Sequence, residues 1–82
     1  MTASSQARDW VESIARDLVD HPEQVEVREV EEEGVTVLEL LVDPDEMGRV
    51  IGRQGRTAQA LRTLLSVAGA KQGRDYELEI LE

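Results

Sequence analysis

Apolar residues near the amino end recur every three or four positions, with charged residues between them: Ala7, Trp10, Val11, Ile14 and Leu18. This spacing is typical of an amphipathic helix and predicts one over residues 5–19. Ser4 or Ser5 can cap it by accepting a hydrogen bond from a free backbone N–H, and we expect residues 1–5 to form a flexible tail. The helix ends before Pro22, because proline donates no hydrogen bond and disfavours a helical residue before it.

Two strands joined by a hairpin follow this helix. Val25 and Val27 alternate with charged residues, and a denser apolar run covers residues 35–42 after the turn residues 31–34. The second strand has apolar residues on both faces: Leu38, Leu40 and Val42 on one, and Val35, Val37 and Leu41 on the other. We therefore expect it to be the more central strand.

Residues 43–74 predict two helices separated by a glycine turn. Residues 43–45 form a turn with a carboxylate cap that opens a short helix through Met47, Val50 and Ile51, and Gly52 ends this helix. A longer helix follows over residues 56–70, with Gly69 or Gly73 supplying its end. Its apolar positions recur at helical spacing, which predicts a core face: Ala60, Leu61, Leu64, Leu65, Val67 and Ala68.

The last segment is a strand, because Tyr76, Leu78 and Ile80 alternate with glutamates. The two helices before it are long enough for a crossover, so the second and third strands can be parallel neighbours. We expect one α+β domain over residues 1–82 in the order α-β-β-α-α-β, with a three-stranded sheet and three helices packed on one face.

Composition excludes several classes of protein. The chain has 82 residues and no cysteine, so we expect no disulfide and no thiolate metal site or nucleophile. No apolar run reaches the roughly 18 residues of a membrane-spanning helix, and the amino end lacks the regions of a signal peptide. We expect a soluble, cytoplasmic protein with no membrane partner. A core of this size is close to marginal, so a partner chain would add to its stability.

The charge is unevenly distributed along the chain. The net charge is -9, which by itself argues against a nucleic-acid partner. However, residues 47–74 contain no Asp or Glu, and six of the nine Lys and Arg residues lie there. This segregation predicts a local positive surface on an acidic body, and such a surface can hold an anion.

The turn Gly52-Arg53-Gln54-Gly55 is the motif with the clearest chemical meaning. Two glycines three apart let the backbone approach a ligand, and the helix after them directs free N–H groups and partial positive charge to the same place. Phosphate oxygens suit such a site. A plain corner between helices also explains two glycines, but the acid-free window and the flanking helices favour nucleic-acid contact.

Residues 49–56, Arg-Val-Ile-Gly-Arg-Gln-Gly-Arg, resemble the signature of KH domains in the arrangement called type II, and the resemblance covers nearly the whole chain. It looks most like the small bacterial KH proteins of the KhpA family. The resemblance implies a type II KH-like fold whose loop clamps short single-stranded RNA. It implies RNA contact by these residues: Val50, Ile51, Gly52, Arg53, Gln54, Gly55 and Arg56. It implies secondary contact by Arg49, Ala58, Gln59 and Arg62.

The resemblance also implies partners and a role. Members of this family form a homodimer, or a heterodimer with a KhpB-like protein, and act as RNA chaperones or post-transcriptional regulators linked to cell shape and cell wall organisation. Trp10 and Tyr76 belong in or beside the core, so bases would meet aliphatic side chains: Val50, Ile51, Ala58 and Leu61. The family often has a bulkier aliphatic residue where Ala58 stands.

No residue pattern predicts an enzyme. His21 has no second histidine, Ser66 has no base partner, and the three glutamates at 31–33 are typical of a solvated turn. We therefore expect no catalytic residue, cofactor or metal. An alternative function is a protein-interaction or dimerisation module in which the Gly-x-x-Gly face is mainly a partner interface. Accessibility of Arg53, Gln54 and Arg56 distinguishes the two.

Overall fold

The computed structural model describes residues 6–81. The elements follow in the order α1 (Gln6–Leu18), β1 (Glu26–Glu32), β2 (Val35–Leu41), α2 (Met47–Ile51), α3 (Arg56–Gln72) and β3 (Asp75–Leu81). Single 3₁₀ turns cover Pro22–Gln24, Pro44–Glu46 and Arg53–Gly55. This order confirms the predicted α-β-β-α-α-β arrangement. The expected tail and the Ser4 or Ser5 cap lie outside the described residues.

The three strands form one mixed sheet with β2 in the middle. β1 and β2 are antiparallel, and β2 and β3 are parallel. The parallel pairing follows from the connection between β2 and β3, because its two helices give the chain enough length to cross over the sheet. The central place of β2 and the crossover are both confirmed.

The turn between β1 and β2 is shorter than predicted. Placing Glu31 and Glu32 in the turn is wrong, because both belong to β1 and pair with residues of β2. The turn itself is Glu33-Gly34, whose φ angles are 50° and 83°. A two-residue turn with positive φ at both positions matches the twist of the strands that it joins. Thr36 Oγ1 also donates a 2.6 Å hydrogen bond to Glu31 Oε1.

The core lies between the helices and one face of the sheet. Its largest fully buried side chains come from α1, β2, α2 and α3: Val11, Leu38, Leu40, Val50 and Leu65. Trp10 and Tyr76 are partly buried against it, as predicted. None of the helices within residues 6–81 is long and apolar enough to cross a bilayer.

The core face of α3 differs from the prediction. Its buried residues are Ala58, Leu61, Leu65 and Gly69, whereas Leu64 and Val67 are 51% and 54% exposed. At 100° per residue, the stripe through 58, 61, 65 and 69 points to the sheet and the positions beside it point away. Assigning Ala60, Leu64 and Val67 to the core is therefore wrong. The helix also runs two residues further than predicted and ends at Gly73, in a left-handed conformation with φ 67°.

Candidate nucleic-acid interface

Helix α2 positions the glycine turn. Asp43 Oδ1 accepts a 2.9 Å hydrogen bond from the backbone N–H of Asp45, which confirms the predicted carboxylate cap before α2. Val50 is completely buried and fixes α2 on the core. The backbone N–H of Gly52 donates to the Gly48 carbonyl at 2.8 Å, and α2 ends there as predicted.

Left-handed backbone shapes the turn itself. Gly52, Gln54 and Gly55 have φ angles of 79°, 56° and 73°. A Cβ at Gly52 would lie 2.2 Å from Thr57 Oγ1 and 2.9 Å from the Thr57 backbone nitrogen, so glycine lets the turn fold back onto the start of α3. The space around Gly55 is open, and its φ alone favours glycine. Arg53 and Gln54 lie exposed between the two glycines.

The amino end of α3 begins where the turn ends. The Arg56 N–H donates to the Arg53 carbonyl, and no side chain caps this end of the 17-residue helix, so N–H groups of the first turn after Arg56 are available to a ligand. These groups carry the partial positive charge of the helix. Arg56, the first residue of α3, is exposed beside them. Together, these features can hold a phosphate group.

Four exposed arginines surround the turn, and they differ in how their charge is used. Arg49 Nη2 lies 3.0 Å from Asp20 Oδ2 in an ion pair. Arg62 Nη2 donates to the Leu78 carbonyl at 3.3 Å. Arg53 and Arg56 form no ion pair with any of the residues 6–81. Their charge therefore remains available to an anion, whereas the charge of Arg49 is partly compensated.

The predicted apolar wall for bases is mostly buried. Val50, Ala58 and Leu61 are 0%, 3% and 4% exposed. They support the turn and α3 from beneath and offer almost no surface, so direct base contact by these three does not fit their burial. Ile51 is half-buried and keeps accessible surface beside Gly52.

A groove runs between α3 and the edge strand β3. It measures about 280 Å³ and is lined by Arg62, Leu65, Tyr76, Glu77 and Leu78. Arg62 lies six residues after Arg56, so it is about 9 Å further along the helix axis. Gln59, exposed on α3, lies between the two in sequence. The groove therefore begins within reach of a chain held at the turn.

Sequence reasoning missed a buried carboxylate next to α2. Glu46 is only 5% exposed, and it accepts hydrogen bonds from the backbone N–H groups of Asp20 and His21 and lies 2.7 Å from His21 Nδ1. Burial alone raises the pKa of the Glu46 carboxyl, but these hydrogen bonds outweigh burial and the net pKa is lowered. The hydrogen bond to Glu46 raises the pKa of His21. The loop after α1 is thereby fixed to α2.

The exposed apolar residues of α3 border a second, larger groove. The α1–α3 groove measures about 450 Å³, and its apolar lining includes Trp10, Leu64, Val67 and Ala68. Leu64 lies eight residues after Arg56, or about 12 Å along α3 from the turn. This apolar surface is therefore separate from the glycine turn. No pattern in the sequence distinguishes it, because its residues share the helical spacing of a core face.

Comparison with known proteins gives consistent matches over most of the chain. The KH domain of the KhpA/KhpB family matches residues 8–80. The RNA-binding protein KhpA of Aquifex aeolicus is 53% identical over 78 residues, which cover 95% of this chain and 99% of that protein. The RNA-binding protein KhpA of Clostridium perfringens is 47% identical over 90% of this chain and 99% of its own length.

Among solved structures, a crystal structure of Era from Aquifex aeolicus with bound GDP and aluminium fluoride is similar with a TM-score of 0.59. The match covers 90% of this chain and 29% of the Era chain, at 20% sequence identity. At that identity the similarity concerns the fold alone.

Proposed function

This chain belongs to the KhpA/KhpB family of KH domains and has a type II KH-like fold, and we propose that it binds single-stranded RNA by clamping the RNA backbone at residues 52–55. The observation that carries the proposal is the open turn, where exposed Arg53 and Gln54 lie between two left-handed glycines before the uncapped end of α3. In KH domains, a Gly-x-x-Gly loop of this kind clamps the backbone of about four nucleotides.

Each part of the turn has a role in this clamp. Gly52 and Gly55 allow close approach of the RNA backbone, and N–H groups of the first turn of α3 after Arg56 donate to phosphate oxygens. Arg53 and Arg56 add positive charge that no carboxylate within residues 47–74 opposes. Gln54 contacts phosphate or sugar from the tip of the turn. Arg49 and Gln59 make secondary contacts on either side.

Bases then lie against the surfaces beside the turn. Ile51 offers aliphatic surface, while Val50 and Ala58 hold α2 and α3 in place beneath it. Arg62 lies further along, at the groove between α3 and β3. Following the resemblance to the KhpA family, we propose a cytoplasmic role as an RNA chaperone or post-transcriptional regulator, acting in cell shape and cell wall organisation.

We further propose that the chain pairs through the α1–α3 groove, with a second copy or with a KhpB-type protein. Leu64 and Val67 are large apolar residues that are more than half exposed. Charge adds little to pairing of α3 with α1 of the other copy, because Arg8 and Arg16 of α1 form ion pairs with Asp9 and Glu12 and leave Asp17 as its one acid outside these pairs. The alternative, in which the turn itself is the partner interface, leaves this apolar surface uncovered.

Fluorescence anisotropy of a short labelled single-stranded RNA tests the proposed clamp at several salt concentrations. Wild type is compared with Arg53→Ala/Arg56→Ala and with a control, Arg16→Ala/Arg28→Ala, which removes the same charge elsewhere. We expect wild-type affinity to fall with salt, and the turn variant to lose about 1.4 from the slope of log affinity against log salt. Equal behaviour of the two variants, or no binding by wild type, contradicts the clamp.

A further inference from the structure

The loop after α1 and the turn before α2 bring three side chains of metal-binding type together. His21, Asp43 and Glu46 each offer one ligand atom, a ring nitrogen or a carboxylate oxygen, and these three atoms all lie within 4.8 Å of one another. His21 is the one histidine of the chain, and Glu46 lies 25 residues after it. A single histidine predicts no metal site from the sequence, but the fold places two carboxylates beside it.

Hydrogen bonds hold Glu46 in place at the centre of this cluster. Glu46 is only 5% exposed. Its Oε2 accepts from the backbone N–H of Asp20, and its Oε1 accepts from the backbone N–H of His21 at 3.0 Å. A carboxylate oxygen can accept a second time, and Oε1 lies 2.7 Å from His21 Nδ1. The buried carboxylate therefore faces an imidazole nitrogen, a ligand that transition ions favour.

His21 and Asp43 can move towards an ion without breaking the fold. Asp43 uses Oδ1 to accept from the backbone N–H of Asp45 at 2.9 Å, and its Oδ2 has no hydrogen bond or ion pair within residues 6–81. The His21 side chain is 55% exposed, so its ring can tilt. Two ligands of a tetrahedral zinc ion lie about 3.4 Å apart. Small rotations of these two side chains are enough to reach that spacing.

We propose that His21, Asp43 and Glu46 bind one divalent transition ion such as Zn²⁺, with water as a further ligand. The ion takes the place of the proton between His21 Nδ1 and Glu46 Oε1, and that proton passes to solvent. One nitrogen and two carboxylates suit Zn²⁺, whereas Mg²⁺ and Ca²⁺ prefer oxygen ligands alone. The bound ion links the loop after α1 to the start of α2, and this link does not depend on RNA binding.

Thermal unfolding followed by circular dichroism tests the site, on protein without a histidine tag. Zn²⁺ at about 100 µM should raise the melting temperature of wild type by about 6 °C, as expected for a dissociation constant of about 10 µM, and EDTA should reverse the rise. Each variant is compared with itself without Zn²⁺, so a general loss of stability does not hide the result. His21→Gln should remove the rise. Asp43→Asn keeps the Oδ1 acceptor and should reduce the rise.

A relocated histidine gives the matched control, His21→Gln/Thr63→His. Thr63 is exposed on α3, within the residues that contain no acid, so this variant keeps one histidine and the affinity of the unfolded chain for Zn²⁺ but loses the cluster. It should show no rise. No rise in wild type, an equal rise in this control, or an equal rise with Mg²⁺ would overturn the proposal.

Amide chemical shifts locate the ion. In the ¹⁵N-labelled chain, Zn²⁺ should move the signals of residues 20–23 and 43–46 and leave those of residues 52–57 unchanged. A response centred on any other part of the chain would also overturn the proposal. Neither measurement contains RNA, so their outcome is separate from that of the proposed clamp.

Discussion

A carboxylate at position 55 should block the proposed phosphate site. A Cβ built on Gly55 meets no atom within 4 Å, so aspartate starts into open space beside the amino end of α3, which no side chain caps. Two like charges about 5 Å apart repel by about 3 kcal/mol at an effective dielectric constant near 20. Solvent exposure reduces this repulsion, and we expect a loss of about 2 kcal/mol of binding free energy, or roughly thirtyfold in affinity.

Gly34→Asp is a closely matched control. Gly34 also has a left-handed φ, 83°, and open space around it, but it lies in the β1–β2 turn. Both substitutions add one negative charge and strain the backbone by about 1 kcal/mol, and at position 55 the favourable charge at the amino end of α3 offsets part of that loss. Urea unfolding followed by the fluorescence of Trp10 measures that loss, and anisotropy measures RNA affinity. If Gly34→Asp weakens binding as much as Gly55→Asp does, the weakening is not local to the turn and the reasoning is refuted.

Three further predictions concern packing, pairing and pH. Gly52→Ala should cost about 2 kcal/mol of unfolding free energy in urea, because its Cβ would overlap Thr57; no loss would contradict the close approach. Leu64→Glu should shift a dimer to monomer in analytical ultracentrifugation, and an unchanged mass would exclude the α1–α3 groove as the interface. Because the pKa of His21 is raised in the folded state, His21 adds to the free energy of unfolding. This contribution is complete below pH 6.5, the ordinary pKa of histidine, and is lost as pH rises through the folded-state pKa. The lowered pKa of Glu46 gives stability that is lost in acid, as pH falls from 4.5 through its folded-state pKa. Unfolding free energy should therefore fall from pH 6 to 8.5 in wild type but not in His21→Ala. Parallel pH profiles of the two proteins would contradict a stabilising interaction between His21 and Glu46.

The order of elements was predictable because local signals agree with the tertiary structure. Alternation in residues 76–80, the dense apolar run of β2 and the stops at Pro22 and Gly52 each have a direct physical cause. The turn at residues 52–55 was predictable for the same reason, since two glycines three apart mark a backbone that many other residues cannot adopt. Its exposure follows from its place between two helices.

Other features depend on contacts that no local pattern encodes. Helical spacing in α3 predicted Leu64 and Val67 in the core. The buried residues are instead those on the side of α3 that packs on the sheet, where the small residues Ala58 and Gly69 let the helix come close to the strands. Glu46 stands among other acidic residues, and only the return of the chain after α1 reveals its hydrogen bonds to Asp20 and His21.

Amide chemical shifts test the proposed clamp most directly, because they report RNA contact residue by residue. In a titration of the ¹⁵N-labelled chain with a short single-stranded RNA, we expect the largest shifts at residues 52–57, followed by Arg62, with residues 33–34 of the β1–β2 turn unaffected. Saturation of these shifts at a common RNA concentration would indicate one site. If instead the shifts centre on Leu64 and Val67, or if residues 52–57 do not move, RNA is not held at the glycine turn.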